Sequence, residues 1–306
     1  MIRINRILCP VDFSQFSTHS FDRAVALARA YGATICVLHV LPVANPVPAV
    51  PYGPEGPGPF GFHTFDRETA LAEIPRFLST EQNIGVSIDY HVVDGASVHK
   101  EILAQAALLS ADVVVVGSHG RSGFSRLMLG SVAERLLRSS PIPIMTVPAH
   151  APDAVPISRD PFRSILYATD FSAGSDTALR YAGSLAQHGA AQLTVVHVVE
   201  PLPIADVPLA GGSFDVAAYY TARENEARAR LRTTIPEWVR LGCQTDDVVT
   251  TGRPYVQILR AASERLIDLI VIGVHGRNAL DRLVFGSTTE HIIRRATCPV
   301  LTVRER

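Results

Sequence analysis

The sequence predicts an α/β protein of two tandem doubly wound domains, each a five-stranded parallel sheet with helices on both faces. Three observations carry this. Short runs of β-branched and apolar residues alternate with helix-length amphipathic segments, the pattern of strands joined by crossover helices. The whole programme occurs twice, in the same order and at a nearly constant offset. The chain is 306 residues long, 47% hydrophobic and 19% charged, enough for two buried cores at roughly 150 residues per domain.

The first half opens on an apolar strand, Arg6 to Val11, which stops at Asp12. Apolar residues at helical spacing predict a helix from Ser17 to Tyr31, closed by Gly32. Ala33 to Val40 is apolar almost throughout, as a strand covered on both faces is. Leu41 to Phe62 is saturated with proline and glycine and is too long for a plain connection, so it reads as a lid, an interaction loop or a flexible excursion. A helix from Thr64 to Gln82, a strand from Val86 to Val93, a turn at Gly95 and a helix from Val98 to Leu109 follow. The strand Val113 to Val116, a polar glycine-punctuated loop, a helix from Ser131 to Arg138 and a strand from Ile142 to Val147 complete the half.

Ala149 to Pro161 is a linker by its proline and polar content, giving domains of residues 1–150 and 160–306. The second half then answers the first. Its strand Ser164 to Ala168 leads to Asp170, followed by a helix Ala173 to His188 and a strand Gln192 to Val198. A shorter proline/glycine loop, Pro201 to Ser213, precedes a helix from Phe214 to Leu231 that ends before Pro236. A strand Cys243 to Thr250, a turn at Gly252, a helix Pro254 to Arg265, a strand Leu269 to Ile272, a helix Thr288 to Arg295 and a strand Val300 to Val303 follow. Asp12 and Asp170 lie 158 residues apart, as do His39 and His197; for Gly117 and Gly273, and for Gly130 and Gly286, the separation is 156. This is one domain written twice.

Composition removes several function classes. A net charge of −1 and interspersed arginines and acids do not suit a nucleic acid or an acidic membrane surface. Lys100 is the sole lysine and lies in SVHKEI, which excludes a P-loop and leaves Schiff-base chemistry one misplaced candidate. Cys9, Cys36, Cys243 and Cys298 show no metal spacing and read as buried, reduced thiols. The N-terminus lacks a signal-peptide pattern and no apolar run approaches a membrane span, so a cytoplasmic location is expected.

The chemistry concentrates in the loop after the fourth strand of each half. Gly117 and Gly120, then nine residues, then Gly130-Ser131 recur as Gly273, Gly276 and Gly286-Ser287. The glycines permit positive φ and close ligand approach, and Gly-Ser would open a helix whose free N–H groups and dipole favour an anion. Ser131 and Ser287 can cap that helix or donate to a phosphate oxygen. The pattern is a phosphate cradle, present twice. Asp12 and Asp170, at the switch point of a doubly wound sheet, can accept from a sugar hydroxyl or base amino group, or can cap the next helix. Arg121 and Arg277 can hold phosphates bidentately or stand solvated. His119 and His275 lack a partnering nucleophile and read as hydrogen-bonding loop residues; His39 and His197 read as satisfying the strand end. No G-x-G-x-x-G follows the first strand, which argues against a dinucleotide.

These residues resemble the universal stress protein family. The Gly-x2-Gly-x9-Gly-Ser spacing marks its ATP-binding branch, and the strand-end Asp and the His-Val pair ending the second strand match as well. The resemblance spans nearly the whole chain. It implies a strand order of 3-2-1-4-5, a Rossmann-like nucleotide-binding fold, and pairing through the last strands, Ile142–Val147 with Val300–Val303, with further homodimerisation open. It implies adenine contacts at Asp12, Val40, Asp170 and Val198. Ribose and phosphate contacts fall on Gly117, Gly120, Gly130 and Ser131, and on Gly273, Gly276, Gly286 and Ser287. The proline-rich loop has no counterpart in the pattern.

The expected function is therefore an ATP-binding stress-response or regulatory protein with one adenine-nucleotide site per domain, Mg²⁺ entering through the phosphates, and an unidentified protein partner reading the nucleotide state. No catalytic set is recognisable. A slow Mg²⁺-dependent ATP hydrolase and a nucleotide-free interaction scaffold are the alternatives.

Overall fold

The computed structural model describes residues 2–42, 67–78, 85–119, 129–148, 161–202, 215–274 and 286–305. The first domain runs β1 (Arg6–Pro10), α1 (Gln15–Tyr31), β2 (Thr34–Pro42), α2 (Arg67–Leu78), β3 (Ser87–Gly95), α3 (Val98–Leu108), β4 (Val113–Gly117), α4 (Ser131–Ser139) and β5 (Ile144–Val147). The second runs β6 (Ser164–Thr169), α5 (Ala173–His188), β7 (Gln192–Val199), α6 (Val216–Thr234), α7 (Glu237–Gly242), β8 (Thr245–Thr251), α8 (Pro254–Glu264), β9 (Leu269–Gly273), α9 (Ser287–Arg295) and β10 (Val300–Val303). The proline-rich loop, apart from its first residues, and most of the predicted linker lie outside the described residues.

Each domain has the order 3-2-1-4-5, and the two sheets join into one of ten strands, β3-β2-β1-β4-β5-β10-β9-β6-β7-β8. Every pairing within a domain is parallel; β5 and β10 pair antiparallel, with Met145 opposite Leu301. The period of two sorts side chains to opposite faces. Ile7, Cys9, Ile35, Val37, Val113 and Val115 face a core covered by α1, α5, α6 and α7. Leu8, Cys36, Leu38, Val114 and Val116 face one covered by α3, α4, α8 and α9. Both cores run across the joint, so the domains share their hydrophobic interior rather than touching at a rim.

Polar contacts reinforce the joint. Thr146 Oγ1 donates to Val300 O (3.3 Å) and Thr302 Oγ1 to Ile144 O (3.1 Å), a pair of cross-strand bonds related by the internal symmetry. Tyr31 stacks on His188 at 4.1 Å, and His188 Nε2 lies 2.6 Å from Ala30 O. Burial raises the Tyr31 hydroxyl well above its ordinary value, so it stays neutral in this stack. Arg304 reaches Leu137 O (3.4 Å) and Arg138 O (2.5 Å), holding the carboxyl end of α4.

Some elements depart from expectation. The helix expected to end at Leu231 continues to Thr234, and a further helix, α7, starts from Pro236 as its N-cap. Proline supplies a fixed φ suited to a helix start, so Pro236 opens one helix as well as closing another. Cys9, Cys36 and Cys298 are buried and free as expected, whereas Cys243 is half-exposed at the end of α7.

Replacing Leu301 tests the shared interior. Leu301→Ala removes a buried side chain from the joint strand and is expected to cost about 2–5 kcal/mol. Because β10 is both an edge of one domain and the seam with the other, urea unfolding followed by tryptophan fluorescence and circular dichroism should lose coincidence between the two probes, while the wild type unfolds as one unit.

Candidate functional site

The site is built at the carboxyl ends of the strands, and each piece follows from local sequence. In the first domain, β1 ends in an Asp-Phe-Ser turn. Asp12 Oδ1 accepts from Ser14 N (3.0 Å), Ser14 Oγ (2.6 Å) and Ser17 Oγ (2.5 Å). Ser14, not Asp12, is the N-cap of α1, its side chain accepting from Ser17 N. Asp12 therefore props the cap rather than serving as the cap itself. The second domain repeats this: Asp170 Oδ1 accepts from Ser172 N (3.0 Å) and Ser172 Oγ (2.6 Å), and Ser172 caps α5.

Between Asp and cap sits a phenylalanine in the left-handed region, Phe13 at φ 60° and Phe171 at φ 62°. Non-glycine residues hold this conformation only when the surroundings enforce it. The enforcement is visible. His39 Nδ1 lies 2.8 Å from Val11 O and its ring packs on Phe13 at 4.6 Å; His197 Nδ1 lies 2.8 Å from Thr169 O and its ring packs on Phe171 at 4.4 Å. The strand-end histidines thus secure the turn that carries the aspartate, as the sequence suggested.

The opposite wall is the end of the fourth strand. A Cβ on Gly273 would meet Gly174 C at 2.9 Å, and one on Gly117 would meet Phe16 O at 3.2 Å. Neither glycine is among those with positive φ. Their role is close approach: the first turn of α5 or α1 lies against the strand end where a side chain would stand. Ser118 Oγ meets His119 Nδ1 at 2.9 Å, in keeping with a hydrogen-bonding loop histidine. Gly120, Arg121, His275, Gly276 and Arg277 lie outside the described residues.

The helix starts differ from expectation in one informative way. Gly130 and Gly286 are the N-caps of α4 and α9, with no side-chain hydrogen bond at either cap, and Ser131 and Ser287 are the first helical residues. Ser131 and Ser287 are therefore not caps. A glycine cap leaves the leading N–H groups without a side-chain acceptor, so they are available to an anion. The carboxylates of the first turn are engaged elsewhere, Glu134 with Arg138 (2.9 Å) and Glu290 with Arg294 (2.8 Å).

In the second domain these parts enclose a cleft of about 640 Å³ that brings Asp170, Val198, Gly273, Gly286 and Ser287 together. Val40 and Val198 are buried at the ends of β2 and β7, paired with Val93 and Thr250. The cleft also takes in Arg223, Glu226 and Arg230 of α6, in the stretch Arg223 to Arg232 whose alternating charge reads from sequence alone as a solvated helix face. Buried titratable groups behind the site are inert near neutral pH: burial pushes the Cys9 thiol and the Tyr167 phenol up to about 12. Among the described residues, no group of three or more His, Cys, Asp or Glu could hold a metal ion, and no helix is long and apolar enough to cross a membrane.

The model of the universal stress protein family matches residues 3–148 and again residues 161–304. The chain belongs to the universal stress protein family. A universal stress protein of Mycolicibacterium smegmatis is 26% identical over 308 residues, covering 98% of this chain and 97% of its own. The crystal structure of a universal stress protein from Archaeoglobus fulgidus covers 99% of each chain with a TM-score of 0.66 at 22% identity, a likeness of fold across both domains. A universal stress protein crystallised in complex with cAMP matches 47% of this chain and 97% of its own, at 23% identity and a TM-score of 0.33.

The glycine contacts give a graded expectation. Gly273→Ala must displace backbone of α5 and should cost about 1–3 kcal/mol. Gly117→Ala meets its neighbours at 3.1 Å and beyond and should cost less. Denaturant midpoints of the two variants, measured side by side, check the order.

Proposed function

We propose that each domain binds one adenine nucleotide, with ATP as the ligand, and that occupancy tunes the protein's conformation or its binding of a protein partner in stress response. The observation that carries this reading is the glycine-capped helix start that shares a cleft with the strand-end aspartate in the second domain, with the same glycine cap and aspartate turn repeated in the first. Leading N–H groups of α4 or α9 and the hydroxyl of Ser131 or Ser287 suit a phosphate. Gly117 and Gly273 let the strand end and the first turn of α1 or α5 lie close together, and Gly120 and Gly276, having no side chain, suit close approach of a phosphate. Asp12 and Asp170 with the chain at Val40 and Val198 suit the polar edge of adenine and the ribose. Arg121 and Arg277, following the second glycine of each motif, suit bidentate phosphate contact, and Mg²⁺ would enter on the phosphates rather than on a protein ligand set.

Among the described residues of the site, no nucleophile is seen paired with a general base. His119, the nearest imidazole in the first domain, is engaged with Ser118. A binding role therefore accounts for the residues more fully than hydrolysis does.

The capping result makes the reading testable. Since Ser131 and Ser287 do not cap their helices, Ser131→Ala/Ser287→Ala should leave the melting temperature within about a degree of wild type. It should weaken ATP binding roughly ten-fold through loss of a charge-assisted hydrogen bond. Isothermal titration of ATP into both proteins checks this; absence of any binding to the wild type would overturn the nucleotide reading.

A further inference from the structure

The two domains are not copies of each other at the helix that, in the second, borders the cleft. α2 and α6 occupy equivalent places: Ala70 and Ile74 are buried on one as Ala227 and Leu231 are on the other, each pair 157 residues apart. The same offset relates the Arg67–Asp94 ion pair of the first domain to the Thr251–Glu224 hydrogen bond of the second. In this register Glu73 stands where the second domain has Arg230, and the sequence has Asp66, outside the described residues, where it has Arg223. The charge at individual positions along this helix differs between the halves, in both directions: Arg67 corresponds to Glu224, and Glu73 to Arg230.

Arg230 is placed to use that charge. It lines the second cleft. Its guanidinium lies 4.4 Å over the Phe171 ring, and among the described residues its polar contact is Nη2 to Phe171 O at 3.5 Å, the limit of a hydrogen bond. Among the described residues it has no carboxylate partner, while the neighbouring Arg223 and Arg228 are paired with Glu226 and Glu224. A guanidinium held over an aromatic ring still has N–H donors to offer a ligand. In the first domain the equivalent ring, Phe13, packs against Phe77 at 5.8 Å instead, and Glu73 is tied to Arg76.

Resting on the nucleotide reading above, we infer that Arg230 is a specificity-determining residue of the second site, contacting the anionic part of the nucleotide. The two sites of one chain are then unequal. The second binds phosphorylated ligands more tightly and fills first, and its preference grows with the ligand's charge. The first site has Glu73 at the position of this cation.

Titrations of ATP, ADP, AMP and adenosine into the full chain test this. Wild type is expected to bind ATP in two steps roughly ten-fold apart. The gap should narrow as added salt shortens the screening length to below about 10 Å. Arg230→Glu and Arg230→Met should each weaken only the tighter ATP step by about ten-fold and merge the two, leaving adenosine binding unchanged. Arg230→Met keeps bulk over Phe171, so agreement between the variants assigns the loss to charge rather than packing, and unchanged melting temperatures confirm intact folds. Two equal ATP steps in the wild type, or variants that weaken adenosine as much as ATP, would overturn the inference while leaving the nucleotide reading standing. Failure of the wild type to bind any of the four would overturn both.

Discussion

The close approach at Gly117 and Gly273 is the constraint on which the rest of each domain depends. A Cβ at Gly273 would stand 2.9 Å from the backbone of Gly174, so the end of the fourth strand and the first turn of the helix after the first strand occupy nearly touching positions. That contact brings the strand-end aspartate of one crossover beside the glycine loop of another. The sheet order alone makes β1 and β4 neighbours; the missing side chain sets how near their following segments come. The Asp-Phe-Ser turn, the positive φ at Phe13 and Phe171, and the histidine that holds the preceding carbonyl all serve to hold the aspartate at that meeting point.

The duplication has a mechanical consequence. Because β5 and β10 pair antiparallel, two parallel sheets become one sheet of ten strands with a continuous core on each face. Neither domain exposes its last strand as an open edge, the position where unpaired backbone groups would recruit other chains. The two domains are thus joined through packed strands and shared cores. The aspartate turns with their serine caps, the strand-end histidines and the cradle glycines are retained in both halves, while charges on α2 and α6 differ, as at Glu73 and Arg230.

Much of this was legible in the sequence. Strand and helix order, the repeat, and the pairing of Asp12 with Asp170 and of His39 with His197 follow from periodicity and spacing, since a strand buried on both faces must be apolar and a turn must be punctuated. What was not legible depended on three-dimensional register. Phe13 and Phe171 carry no signal for positive φ, because the conformation is imposed by Asp12, His39 and their counterparts rather than chosen by the residue. The cap fell on Gly130 rather than Ser131 because a helix start is decided by a single residue's dihedral angles, and both residue types are good caps. Arg230 looked like one member of an alternating charge run on α6; only the buried faces of Ala227 and Leu231 show which of those arginines turns toward the cleft.

The central claim is that one chain carries two working nucleotide cradles. The most direct measurement is to purify the protein, denature it, and identify and count the nucleotide released or taken up on saturation with ATP, by chromatography against protein concentration. The account predicts an adenine nucleotide at close to two per chain, with Gly120→Val/Gly276→Val abolishing it. No nucleotide on purification and none bound when ATP is added back would contradict the account and leave the paired domains as an interaction scaffold.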